Sequence, residues 1–360
     1  MKRNQFILSL LGVGAITFSA FTTDPNRIVR LNDDTKPYDT KTFTGNISAV
    51  RAETSGGSLT VEGSSGSGAK VEMYVRPNNW NGRNELDKAE IDERLKDYDV
   101  NIRQEGNTII ATAKRRSNNN RDWKRSLSIG FKIYTPRNVS TTLRTSGGSI
   151  RLSDLAGNQD FRTSGGSLHL TSVEGDISGQ TSGGSIHLDR CKNDRDGRID
   201  LQTSGGSIHA EASEGKMRLH TSGGSIELND LQGTIDARTS GGSVRGSDIA
   251  GTLKAGTSGG SVRLANVSGS LDASTSAGSI EVSLNKLGDY VRLSTTAGSV
   301  RVKMPMNKGL DLDLSGNRVE VGTLSNFSGS HEKDRVRGKV NGGGVPVEIA
   351  ASSGSVYLNR

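Results

Sequence analysis

Residues 145–152 read TSGGSIRL, and the motif returns as TSGGSLHL at 163, TSGGSIHL at 181, TSGGSIHA at 203, TSGGSIEL at 221, TSGGSVRG at 239 and TSGGSVRL at 257. From threonine to threonine the copies are spaced by 18, 18, 22, 18, 18 and 18 residues. A fixed period of this kind is the signature of a repeat architecture. Degenerate copies continue it at Thr275 (TSAGSIEV) and Thr295 (TTAGSVRV), and outlying copies stand at Thr54 (TSGGSLTV) and Ala351 (ASSGSVYL).

Aligned on the first residue, the columns take on physical meaning. Five places after it come Ile150, Leu168, Ile186, Ile208, Ile226, Val244, Val262, Ile280 and Val300, and two places later Leu152, Leu170, Leu188, Ala210, Leu228, Gly246, Leu264, Val282 and Val302. A polar residue separates each pair, so each copy predicts a short strand with one buried face. A second alternating strand leads into the next threonine, as in Ile199 and Leu201 before Thr203. Between the two strands sits an aliphatic residue followed two places on by a glycine, for example Leu231 and Gly233, and that glycine marks a corner. A unit of two short strands cannot enclose a core alone. Stacked copies can, with each strand pairing to its equivalent in the next coil about 4.8 Å away.

The sequence therefore predicts an all-β chain: a parallel single-stranded β-solenoid, β-helix-like, of about 18-residue coils with a small helix-containing N-terminal insertion. Nine coils from Thr145 to Thr295 would make a rod roughly 40 Å long. The Gly-Gly pair is expected to supply positive φ at a tight corner, and the Ser and Thr beside it to form hydroxyl ladders between coils. A phosphate loop is excluded, because the nearest match, GSSGSGAK at 63–70, has Ala69 where lysine is required. The hexad's second serine does not make a nucleophile elbow either, since Ile, Leu or Val followed by a polar residue stands after it in place of a glycine two positions on. A flexible Ser-Gly linker would not keep the aliphatic columns.

Composition agrees with a repeat rather than several globular cores. Only 31% of the 360 residues are hydrophobic and 4% aromatic, and 47 glycines accompany 6 prolines. Residues 1–20 read as a secretory signal peptide: Lys2 and Arg3, an apolar run from Phe6, and small residues at Ser19 and Ala20. The run is too short to span a bilayer, so export to the periplasm, cell surface or medium is expected, with no membrane span after cleavage. Cys191, the single cysteine, can form no internal disulfide and reads as a buried core residue. Removing Lys2 and Arg3 with the signal peptide lowers the formal charge from +7 to +5, a balance that suits anionic glycans or envelope polymers as partners. No nucleic-acid partner and no cofactor are expected.

Residues 21–142 read as N-terminal strands, helix and cap, 143–303 as regular repeats, and 304–360 as irregular strands closing the solenoid. In the insertion, 71–77 predicts a strand, 84–98 an amphipathic helix with Leu86, Ile91, Leu95 and Tyr98 on one side, 100–114 a hairpin turning near Gly106, and 127–136 a further strand. The loop KRRSNNNRDWKR (114–125) gathers Lys114, Arg115, Arg116, Arg121, Lys124 and Arg125 as a candidate anion-binding site. His169, His187 and His209 stand six places after their threonines and predict a column of imidazoles, one per coil. The column could hold zinc or nickel, but it continues into Arg151, Glu227 and Arg245 and reads more simply as a charged outer face. The 22-residue unit, DRCKNDRDGRID (189–200), imitates a calcium loop through Asp194, Asp196 and Asp200. Lys192 and Thr203 occupy its first and last ligand positions, so a bulged corner is expected instead. Carboxylates are scattered, and Trp80 and Trp123 lie outside the repeats, so no catalytic constellation is legible.

On its export signal, TSGGS corners, glycine-marked coils and inserted helix, the chain resembles a bacterial domain-of-unknown-function family labelled "putative adhesins". The likeness is strongest over 145–302. It implies an adhesive or scaffolding surface at the cell envelope rather than an enzyme, and brings no catalytic residues with it. A carbohydrate-active enzyme or glycan-binding protein on a β-helix, and a periplasmic partner in envelope signalling, are the alternatives.

Overall fold

The computed structural model describes residues 36–78, 87–116, 126–193 and 197–359, and Pro37–Arg360 forms one compact unit. The signal-peptide segment lies outside the described residues. The chain is a β-solenoid whose 24 described strands all join one hydrogen-bonded sheet. Each coil pairs in parallel register with the next. Leu168 lies opposite Ile150 and Ile186, and Ile208 opposite Ile226, while on the second side Leu201 faces Gly179 and Leu219. In the central coils the two sides merge through the glycine corner into single strands such as Ile208–Thr221 and Ile226–Thr239. The aliphatic columns fill the interior, and where one coil is short of volume a neighbour supplies it. A Cβ on Gly179 would lie 2.3 Å from the Phe161 ring, and one on Gly246 2.9 Å from Ile249 Cδ1.

The TSGGS corner is held by two hydroxyl ladders, as expected, but its glycines act for a different reason than expected. From Thr145 to Thr295 each threonine is buried and its hydroxyl donates to the carbonyl of the second glycine in the preceding coil, whereas that of Thr54 donates to the Ile129 carbonyl. Thr203 donates to Gly184 and Thr221 to Gly206, both at 2.7 Å, and each threonine oxygen also accepts its own coil's second glycine N–H at 3.2–3.3 Å. The later serine passes the connection on, its N–H donating to the Oγ of its predecessor from Ser149 on Ser58 to Ser355 on Ser299.

Positive φ is not what the Gly-Gly pair supplies, because apart from Gly298 none of these glycines adopts it. Close approach is the requirement. A Cβ on Gly166, Gly184, Gly206 or Gly224 would stand 2.0–2.1 Å from the preceding coil's glycine carbonyl oxygen, a separation that neither backbone can relieve. The first glycine is freer, with its nearest atoms 3.5 Å away at Gly205, and the chain itself replaces it by Ala277, Ala297 and Ser353 in the degenerate copies. Left-handed backbone belongs to the opposite corner. There Asp154, Ser172, Arg190, Ala212, Asp230, Asp248 and Asn266 have φ of 47–56°, and glycines such as Gly233 (φ 128°) follow three places on.

The ends depart from sequence order. The Thr54 copy is not an outlier: strands Ala49–Thr54 and Leu59–Ser64 lie directly on the Thr145 coil, with Thr54 opposite Thr145 and Leu59 opposite Ile150. On its other side Thr108–Arg115 and Leu127–Pro136 add one more parallel layer. The chain thus lays one coil, leaves to build the layer outside it, and returns to continue inward. That outer layer is covered by antiparallel strands, Tyr98–Glu105 on one half and Ala69–Pro77 followed by Asp39–Phe43 on the other. The opposite end repeats the device. Val345–Asn359 inserts between the Thr295 coil and Leu310–Val321, with Ala351 opposite Thr295 and Val356 opposite Val300. Arg335–Val340 and then Phe327–His331 close that end in antiparallel pairing.

The inserted helix is shorter than its periodicity implied, running Lys88–Leu95 with no residue buried. Asp87 caps it by accepting the Glu90 N–H at 2.7 Å, and residues 84–86, the start of the expected helix with Leu86, lie outside the described residues. Tyr98 is drawn out of the helix into the strand opposite Arg115, where its buried hydroxyl accepts the Leu127 N–H at 2.8 Å. In the 22-residue unit the pairing steps from Lys192–Glu214 to Ile199–Met217, so the extra residues fall between 192 and 199. Asp194 and Asp196 lie outside the described residues.

Two outcomes follow. Gly206→Ala should lower stability by about 3 kcal/mol or more, at the upper end of overpacking costs, whereas Gly205→Ala should change it by less than about 0.5 kcal/mol; chemical denaturation of the two variants checks the contrast. Removing 345–359 exposes the Thr295 coil edge and leaves 310–321 without its parallel partner. Light scattering should then find self-associated material where the full chain is monodisperse.

Candidate functional site

The strand entering each corner turns its threonine inward, so the residue before it points out, and the serine after it lies exposed on the far side of the turn. Repeated coil after coil, these positions form two rails with the threonine row as the floor between them. The result is an open polar groove along the solenoid. Its longer part, about 640 Å³, runs from Gln180 to Ser274, and a smaller part of about 280 Å³ runs from Glu53 to Ser182, the two meeting at Gln180. One rail is the exposed serine series, Ser146 to Ser258, whose backbone carbonyls accept amides of the next coil, as Ser182 accepts Gly205 N–H at 2.8 Å. The other carries Arg144, Arg162, Gln180, Gln202, His220 and Arg238.

Charge is distributed unevenly along the groove. Arg144 pairs with Asp160, and Arg238 Nε lies 2.8 Å from Asp236 Oδ1. Arg162 and Lys254 have no ion pair among the described residues. His220 lies 3.6 Å from Asp236, yet its pKa is lowered, because burial and the neighbouring Arg218 outweigh the carboxylate. At Gly256 the second rail loses its side chain, and a notch opens between Arg238, Lys254, Asp272 and Ser274. Sequence reading missed this groove. The alternation that fixes its outward residues was visible, but nothing local says that the corner turns them toward the serine rail.

The histidines form the expected column on another face. His169 and His187 stack with ring centroids 4.9 Å apart and planes within 2°, and His187 and His209 stack at 5.1 Å and 7°. Parallel rings direct their nitrogens side by side rather than toward one point, and no group of three or more His, Cys, Asp or Glu suited to a metal occurs among the described residues. His209 Nδ1 lies 3.1 Å from Glu227 Oε2. The His169 pKa is lowered to about 4, first by burial, then by Arg151 and His187; burial and His209 lower that of His187.

The basic loop is only partly described. Lys114 is paired with Glu53 at 2.9 Å, at the groove's end, and Arg115 donates to Ser126 Oγ at 3.2 Å. Arg121, Lys124 and Arg125 lie outside the described residues, as do Trp80 and Trp123. Arg116 gives its backbone N–H to Asp97 O at 2.8 Å. Cys191 is buried, its thiol pushed up to about 12 by desolvation, and sits in the aliphatic column between strands. No helix of the described residues is long and apolar enough to cross a membrane.

These features define a repeat protein of the parallel β-solenoid class that offers surface along its length rather than an enclosed pocket. Within that class, residues 243–359 match the family model described as Toastrack DUF4097, in line with the resemblance carried by the TSGGS corners. No curated protein matches the chain. Among solved structures it is similar to a "putative adhesin" from Bacteroides fragilis NCTC 9343, with 13% identity over 90% of this chain and 98% of that one, TM-score 0.30. Similar too are a "putative cell adhesion protein" from Clostridium sporogenes ATCC 15579 (10% identity, 90% and 99% covered, TM-score 0.18) and a "putative lipid binding protein" from Parabacteroides distasonis ATCC 8503 (14% identity, 91% and 98% covered, TM-score 0.24).

Because the folded His169 pKa lies below its unfolded value near 6.5, the unfolded chain binds more protons between the two. The stability that neutral His169 contributes is whole above pH 6.5 and is lost as pH falls toward about 4. Thermal melts across that window should show His169→Asn with a flatter pH dependence than the parent protein.

Proposed function

We propose that the protein is a non-enzymatic, exported β-solenoid that serves as an adhesive or scaffolding surface at the cell envelope and binds anionic glycans or envelope polymers. The observation that carries this reading is the continuous polar groove from Glu53 to Ser274, open along its length and lined by hydroxyl, amide and cationic side chains. An extended polymer can make many weak contacts along such a surface, and their sum provides affinity without a deep pocket. Asp272 lines one part of the groove and Glu53 the other, and Asp236, held beside Arg238 and His220, stands two coils from Asp272 across Lys254. Glycoside hydrolysis needs two carboxyls within roughly 5–10 Å, so turnover of a bound glycan is the outcome that would favour the carbohydrate-active alternative.

A glycan array probed at low salt with the protein produced from residue 21 onward should show binding to acidic polysaccharides that weakens as salt rises. A blank array, or turnover of any bound glycan, would count against the reading. Fractionation should recover the native protein outside the cytoplasm.

A further inference from the structure

The groove has a direction, a period and a charge pattern, and together they specify its occupant more narrowly. Its hydroxyls recur once per coil, about 4.8 Å apart along the axis, which is close to the advance of one pyranose unit in an extended glycan. The threonine and later serine hydroxyls are consumed by the ladders. Those of the rail, such as Ser204, Ser222 and Ser240, stand exposed. Among the described residues no Phe, Tyr or Trp lines either part of the groove, so a sugar would be met mainly at its edge, through hydroxyls and acid groups, rather than stacked by its face. Cations do not occupy every coil: Arg144 and Arg162 stand toward one end, Arg238 and Lys254 toward the other, and Gln180, Gln202 and His220 lie between. A polyphosphate would call for a cation at nearly every step. A glycan with an acid group only on some units would not.

Resting on the function proposed above, we propose that the groove holds a linear uronate-bearing polysaccharide laid parallel to the solenoid axis, one sugar unit per coil, with a carboxylate seated in the Gly256 notch. There Lys254, which stands between Asp236 and Asp272 in the register yet has no ion pair among the described residues, and the Arg238 guanidinium, whose Nε faces Asp236, supply the cationic donors, with Asp272 the one carboxylate lining the same notch. Gly256 makes the notch by lacking a side chain. Its backbone does not require glycine: φ is not positive, and an added Cβ would meet only Ser274 Oγ at 3.6 Å and Arg238 Cγ at 3.7 Å. Gly256→Trp therefore fills the notch from an outward strand position without disturbing the lattice of coils.

The test is calorimetric titration of the protein with oligogalacturonates of graded length, from disaccharide to dodecasaccharide, at low salt. Affinity should climb with length and then level off once the chain spans the groove. Gly256→Trp and Lys254→Glu should each weaken the long oligomer about tenfold or more, equivalent to roughly 1.4 kcal/mol, while melting like the parent. Arg263→Glu, on the face that carries the histidine column, should leave binding unchanged. A plateau already at the disaccharide, or full affinity in Gly256→Trp, would overturn the lengthwise seating while leaving glycan binding intact. Equal affinity for an uncharged glucan of the same length would overturn the carboxylate assignment. Binding of polyphosphate but of no uronate would overturn the glycan itself, and binding of no polymer would remove the parent reading too.

Discussion

The structure depends on how closely one coil can approach the next at the TSGGS corner. The second glycine of each copy places its Cα against the preceding glycine carbonyl, where any Cβ would fall about 2 Å from the oxygen. The threonine then binds both sides of that contact, donating to the carbonyl below and accepting the amide of its own glycine. Each such buried hydrogen bond contributes on the order of 1 kcal/mol net, and much more would be lost if its partners were left unsatisfied. Because the same contact recurs from coil to coil, the strands on either side are held in one register and the aliphatic columns meet without slipping.

A stack of parallel strands has two open ends, and open edges recruit other chains. This protein closes both by leaving sequence order. At each end a TSGGS-type copy lies one layer inside the terminus, an irregular segment forms the outermost parallel layer, and antiparallel strands cover it. Among the described residues the outermost edges include Asp39–Phe43, Tyr98–Glu105 and Phe327–His331, each short, and the last mostly polar, a poor template for further pairing. The arrangement also ties the last strand, Val345–Asn359, to the regular coils rather than leaving it as a tail.

With the corners fixed by backbone contacts and two hydroxyl rows, the outward positions are released from structural duty. That freedom appears in the columns: the residue before the threonine varies through arginine, glutamine, histidine and glycine, while the threonine itself hardly changes. The groove is assembled from those free positions and from the one serine row that the ladders do not use. Binding chemistry can therefore change coil by coil without cost to the lattice. The stacked histidines on another face illustrate the same principle with different side chains.

The sequence by itself determined the parallel solenoid, the length of its coils, the buried columns and the place of the longer coil, because these are properties of a short period that each unit repeats in its own letters. It also marked the hairpin at Gly106 and the burial of Cys191. It did not reveal why the second glycine is required, since a steric contact between residues 18 apart leaves no local trace beyond invariance within the repeat. Nor did it reveal that the Thr54 and Ala351 copies sit inside the terminal layers, or that two rails converge on a groove. Those outcomes depend on which edges are open and where a corner turns, and only the assembled stack of coils decides them.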